Sequence, residues 1–172
     1  MENINPIINK VASSDLITLD LEVFYPSGET VVFDLKNFLF KGLVLKEKDF
    51  REALKIFDWS QYRNKNVAIC CSADAIVPMW AFMLVAVNLN GVARYYRFGT
   101  ESELIADLLF QALKKIDPEE YRDKKLLVKG CGDKEVAASV YVEVARILLP
   151  VVSSLMYGEA CSNVPLWKNR KG

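Results

Sequence analysis

The chain has 172 residues, with 22 lysines and arginines set against 22 aspartates and glutamates, and no histidine. That balance leaves no net field to draw in nucleic acid or an anionic membrane, and neither is expected as a partner. The missing histidine removes Ser-His-Asp and Cys-His catalysis together with every histidine-containing zinc pattern. The length suits a single α/β domain over residues 1–172, with a core of its own. Met1 to Asp15 has no apolar signal core, and the longest apolar run, Ala75 to Val87, falls short of the roughly 20 residues of a membrane span. A soluble, cytoplasmic protein is the expectation, with its four cysteines (Cys70, Cys71, Cys131, Cys161) reduced and free for metal or chemistry.

In chain order, Leu16 to Leu21 alternates apolar and polar residues, and Pro26-Ser27-Gly28-Glu29 is turn chemistry before Thr30 to Leu35, so an N-terminal β-hairpin is expected. Glu47 to Phe57 reads as an amphipathic helix, with Phe50, Leu54 and Phe57 at helical spacing. Val67 to Cys71 is a buried-type strand. Pro78 lacks an amide hydrogen and is accepted in a first helical turn, so the next helix starts near Val77 and leaves Ser72 to Ile76 as a loop at the strand's carboxyl end. That helix is apolar around nearly its whole circumference, which predicts a core or subunit-interface helix and admits a homodimer; Met83→Ala or Leu84→Ala should then cost about 2 to 5 kcal/mol. Val92 to Phe98 follows as a strand and Thr100 to Ile116 as a long helix capped by Thr100 or Ser102. Leu126 to Gly130 is a further strand, before a final helix that Pro150 interrupts.

The second half repeats the first. Ala53-Leu54-Lys55, Asp58, Tyr62-Arg63 and Lys65 return as Ala112-Leu113-Lys114, Asp117, Tyr121-Arg122 and Lys124, 59 positions on. Each copy reads helix, acidic turn, Tyr-Arg, strand, cysteine, helix. Such alternation favours a mostly parallel or mixed sheet with helices packed on it, and it predicts that Val67–Cys71 and Leu126–Gly130 lie parallel in one sheet.

The repeat brings the cysteines into question together. Cys71 and Cys131 follow equivalent strands at the edge where open α/β sheets bind ligands, and Gly158 reads as a helix C-cap that leaves Cys161 on a loop past the last helix. Three loop cysteines suit zinc, iron or an iron-sulfur cluster, with Asp74 or Glu159 as fourth ligand. There is no Cys-x-x-Cys, so only the fold could gather them. Two other readings stand beside the metal site: Cys71 as the nucleophile of an enzyme, or an α/β binding module in which the cysteines are structural and Asp74 or Ser72 caps a helix.

Cys71-Ser72-Ala73-Asp74-Ala75-Ile76 with Pro78 and Trp80, the Lys129-Gly130-Cys131 triplet, and Tyr157-Gly158-Glu159-Ala160-Cys161-Ser162 with Val164-Pro165-Leu166 resemble the signatures of an uncharacterised bacterial family, domain of unknown function family 2480. The resemblance covers nearly the whole chain. Its motif cysteine matches Cys71, while Cys70 stands at an ordinary strand position. It implies an accessory role in iron-sulfur or thiol metabolism, with iron-sulfur assembly proteins as partners, and it supplies no catalytic residue.

Overall fold

The computed structural model describes residues 16–130 and 132–169. Along the chain run β1 (Leu16–Leu19), β2 (Thr30–Asp34), α1 (Glu47–Ile56), β3 (Asn66–Cys70), α2 (Met79–Leu89), β4 (Tyr95–Phe98), α3 (Glu101–Leu113), β5 (Lys125–Lys129), α4 (Ala138–Leu148), β6 (Ser154–Glu159) and β7 (Ser162–Lys168). The class is α/β, with mixed parallel and antiparallel pairing.

The strands form two sheets, in two compact units. Ser27–Ile105 makes an inserted unit around the sheet β2-β3-β4, parallel throughout. The described parts of Met1–Pro26 and Ala106–Gly172 make a split unit around β1-β5-β6-β7, in which the first three strands are parallel and β7 is antiparallel. The expectation that β3 and β5 share a sheet is therefore corrected. Each is already flanked on both edges by strands of its own unit, β3 by β2 and β4, β5 by β1 and β6. The N-terminal hairpin is corrected on the same ground, since β1 pairs with β5 and β2 with β3.

The repeat is real and larger than the motif that revealed it. Asn66 and Lys125, Met79 and Ala138, and Tyr95 and Ser154 begin equivalent elements, each pair 59 positions apart. Asp58 and Asp117 both start 3-10 turns by accepting the amide hydrogen two residues on, and Asn64 and Asp123 both sit at left-handed φ values of 58° and 59°. Ahead of that block the offset changes. Asp20 and Asp34, 14 positions apart, each end a strand and cap a 3-10 turn. The first strand of the split unit thus precedes the whole inserted unit in the chain.

Apolar periodicity places the core of the inserted unit. Phe50 and Leu54 of α1 and Ala81, Val85 and Leu89 of α2 pack against Phe33, Val67 and Ile69 of the sheet. Thr100 and Glu103 close a capping box at the start of α3, with reciprocal bonds of 2.7 and 3.2 Å. α2 is not buried all round as its composition suggested: Met79, Met83 and Val87 are exposed, so a core-type cost for Met83→Ala is corrected, while Leu84 is half-buried against the core.

Candidate functional site

Parallel strands end together, and their carboxyl edge gathers the loops that follow them. In the inserted unit that edge holds Asp34, Cys70, Cys71 and Ser72. Asp34 accepts from the Lys36 amide at 3.0 Å, from the Ser72 amide at 3.0 Å and from the Ser72 hydroxyl at 2.6 Å, which ties the loop after β3 to the end of β2. Burial alone would push the Asp34 carboxyl up. The bonds from Ser72 and Lys36 outweigh it and hold the group below its ordinary value of 3.8.

Cys70 and Cys71 are neighbours at this edge, each half-buried. Cys71 is half-buried against the core, and its thiol donates to the Ala73 carbonyl oxygen at 3.7 Å. Burial pushes the Cys70 thiol up, and the charges of Asp34 and Cys71 push it further. Asp74 is exposed in the loop. Cys161 belongs to the other unit, exposed in the two-residue turn that joins β6 to β7, so Tyr157 to Ser162 is a hairpin and not the end of a helix. Gly158 accordingly lies within β6 and is no C-cap. Cys131 lies outside the described residues. Among the described residues no group of three or more Cys, Asp and Glu side chains is placed to hold a metal ion.

In the split unit the same edge is built differently. Asp20 stands where Asp34 does, but Lys129 replaces Cys70 and Gly130 replaces Cys71. The Lys129 ammonium donates to the Asp20 carboxylate at 2.8 Å, and the Glu22 amide donates to its other oxygen at 3.0 Å. The Glu22 carboxylate in turn accepts the Lys134 amide at 2.5 Å, and the Lys134 ammonium lies 4.6 Å from the centre of the Tyr25 ring. Asp20, Glu22, Lys129, Lys134 and Tyr141 line a pocket of about 220 Å³ at this edge. A Cβ on Gly130 would lie 2.7 Å from the Tyr157 ring, so any larger residue would displace the ring, whose hydroxyl donates to the Gly130 carbonyl at 3.3 Å.

Burial would raise the Asp20 carboxyl, but the hydrogen bonds from Lys129 and from the Glu22 amide, with the lysine's charge, hold it below 3.8. The bond to Asp20, helped by the charges of Asp20, Glu22 and Glu159, outweighs partial desolvation and keeps the Lys129 ammonium above its ordinary 10.5. A carboxylate whose folded value is depressed adds stability that is present above its unfolded value and lost as pH falls through the folded one. Wild-type protein should therefore lose thermal stability as the pH falls below about 4, and the double variant Asp20→Asn, Asp34→Asn should lose less over the same fall. Equal losses in melts of the two proteins would assign the acid sensitivity to other groups.

Sequence reasoning missed this pocket because it followed cysteines. The available signal was the shared strand-Asp-Leu ending, Leu19-Asp20-Leu21 and Phe33-Asp34-Leu35.

Fold and edge together define a duplicated α/β protein in which one copy keeps an open polar pocket where the other has a tied loop. A family model described as protein of unknown function (DUF2480) matches residues 5–169, and the chain belongs to that family. No curated protein and no solved structure matches it. No helix among the described residues is long and apolar enough to cross a membrane.

Proposed function

We propose that this protein is a binding module without catalytic activity, a cytoplasmic accessory in iron-sulfur or thiol metabolism that takes a small zwitterionic ligand at the carboxyl edge of the split unit. The observation that carries this reading is the pocket, which offers groups of both charge signs, Asp20 and Glu22 beside Lys129 and Lys134. Its size, about 220 Å³, lies below the roughly 300 to 1,000 Å³ of sites for drug-sized ligands and suits a molecule as small as an amino acid. An ammonium of the ligand would meet Asp20 and Glu22, and a carboxylate would meet Lys129 and Lys134. L-cysteine is the first probe, because it combines both charges with the chemistry of that metabolism. Titration calorimetry with L-cysteine should give a saturable heat that Lys129→Ala and Glu22→Ala each weaken by at least about tenfold. No heat with L-cysteine, L-serine or L-glutamate would end this reading.

The metal reading is retained for the split unit alone, on one observation. The Gly130 amide, next in the chain to Cys131, donates to the Gly158 carbonyl at 3.3 Å, three residues before Cys161, and Glu159, which follows Gly158, has a carboxylate oxygen that is buried without a hydrogen-bond partner among the described residues. These residues would hold zinc or iron through two thiolates and a carboxylate, with Cys71 and Asp74 of the inserted unit outside the ligand set. Elemental analysis of the purified protein checks it. Stoichiometric zinc or iron, lost in Cys131→Ser and in Cys161→Ser but kept in Cys71→Ser, is the expected result; metal-free protein rejects it.

A further inference from the structure

The duplication supplies an internal comparison of surfaces. α2 and α4 are equivalent helices, each buried along one stripe, Ala81, Val85 and Leu89 in the first and Val140, Val144 and Leu148 in the second. Their outward stripes differ in kind. In the split unit it reads Glu135, Ala138, Val142 and Arg146, with the Arg146 guanidinium bonded to Glu143 at 2.6 Å. In the inserted unit the corresponding residues are Ile76, Met79, Met83 and Val87, exposed by 90%, 71%, 68% and 69%. Val44, itself exposed, pairs with Ile76 through an isolated parallel bridge and extends the apolar surface beyond the helix, beside exposed Leu43. One fold thus carries, at the same positions, a face with two charged residues and a face with four exposed large apolar residues, and a grouping of that kind marks an interaction site.

We propose that α2 is a homodimer interface, crossing α2 of a second copy antiparallel about a two-fold axis near Met83. Charge selects this occupant. A two-fold interface sets each residue against its own counterpart or a near neighbour, so a charged stripe would meet its like, and α2 carries no charged residue along its length. The helix ends point the same way. α1 and α3 have acidic residues in their first turns and α1 and α4 basic residues in their last, whereas α2 has neither, and an antiparallel neighbour places opposite dipole ends side by side. A lipid surface fits less well, since helices lying on membranes carry lysine and arginine along their flanks and α2 offers none, while the lysines nearest Leu43 and Val44, Lys41 and Lys46, lie over the Phe40 ring. Met79, Met83 and Val87 lie four residues apart, the ridge that interdigitates when two helices cross at about 50°.

Sedimentation velocity on the full chain tests the assignment. Wild-type protein should sediment at twice its 19.5 kDa mass at about 10 µM. Met83→Glu and Met83→Lys should each weaken self-association by at least about 100-fold, because each buries like charges against one another at the axis. An equimolar mixture of the two should recover the dimer, which also proves both variants folded, and Val142→Glu on the equivalent helix should leave association unchanged. Wild-type monomer at about 100 µM, a dimer that survives Met83→Glu, or a mixture that stays monomeric each overturns the proposal.

Discussion

Replacing Phe33 by alanine is expected to destabilise the protein by about 3 to 5 kcal/mol, enough to unfold the inserted unit near physiological temperature. Phe33 is 2% exposed in the middle of the aromatic cluster. Its ring stacks on Phe38 and Trp59 with centroids 5.5 and 5.4 Å away and meets Phe57 edge-on at 5.5 Å. Removing it deletes transfer energy and several ring contacts at once, and leaves a cavity lined by residues held on three separate elements. Phe98→Ala is the matched control. That ring is 63% exposed and, among the described residues, its one aromatic contact is Phe82, so its loss should cost about 1 kcal/mol. Urea denaturation of the two variants separates them; equal midpoints would show that the cluster around Phe33 is not the core of its unit.

Gly158→Ala is expected to cost about 3 kcal/mol and to loosen the β6–β7 hairpin. Gly158 sits at φ +125°, a backbone region that side chains rarely enter, and a Cβ there would lie 2.6 Å from the Ser162 carbonyl oxygen across the hairpin. Backbone cannot step aside as a flexible side chain can. The strands must therefore separate or shift register, which exposes the amides of Ser162 to Lys168, Pro165 having none, to exchange. Gly91 is the comparison, with φ +77° but open space around it, so alanine there meets only the left-handed strain of about 1 kcal/mol. Hydrogen exchange over β7 reads the difference. Unchanged protection in Gly158→Ala would mean that the hairpin accommodates the side chain.

The sequence alone determined the α/β class, most element positions and the existence of a duplication, because these rest on periodicity and on local chemistry. The capping aspartates Asp58 and Asp117, the Thr100 to Glu103 box and the helix bounds near Pro78 depend on neighbours a few residues away, and the chain states those neighbours directly. Strand pairing is not local in that way. β1 and β5 are neighbours across more than a hundred residues, and the change of offset from 59 to 14 hid Asp20 as the partner of Asp34, so the N-terminal strands looked like a hairpin. The pocket was invisible for the same reason: Asp20 and Lys129, 109 positions apart, become a bonded pair only when β1 pairs with β5. Composition likewise described α2 as apolar throughout, which is true, yet only packing decides which stripe of an apolar helix faces its own sheet and which, with Met79, Met83 and Val87, is left facing outward.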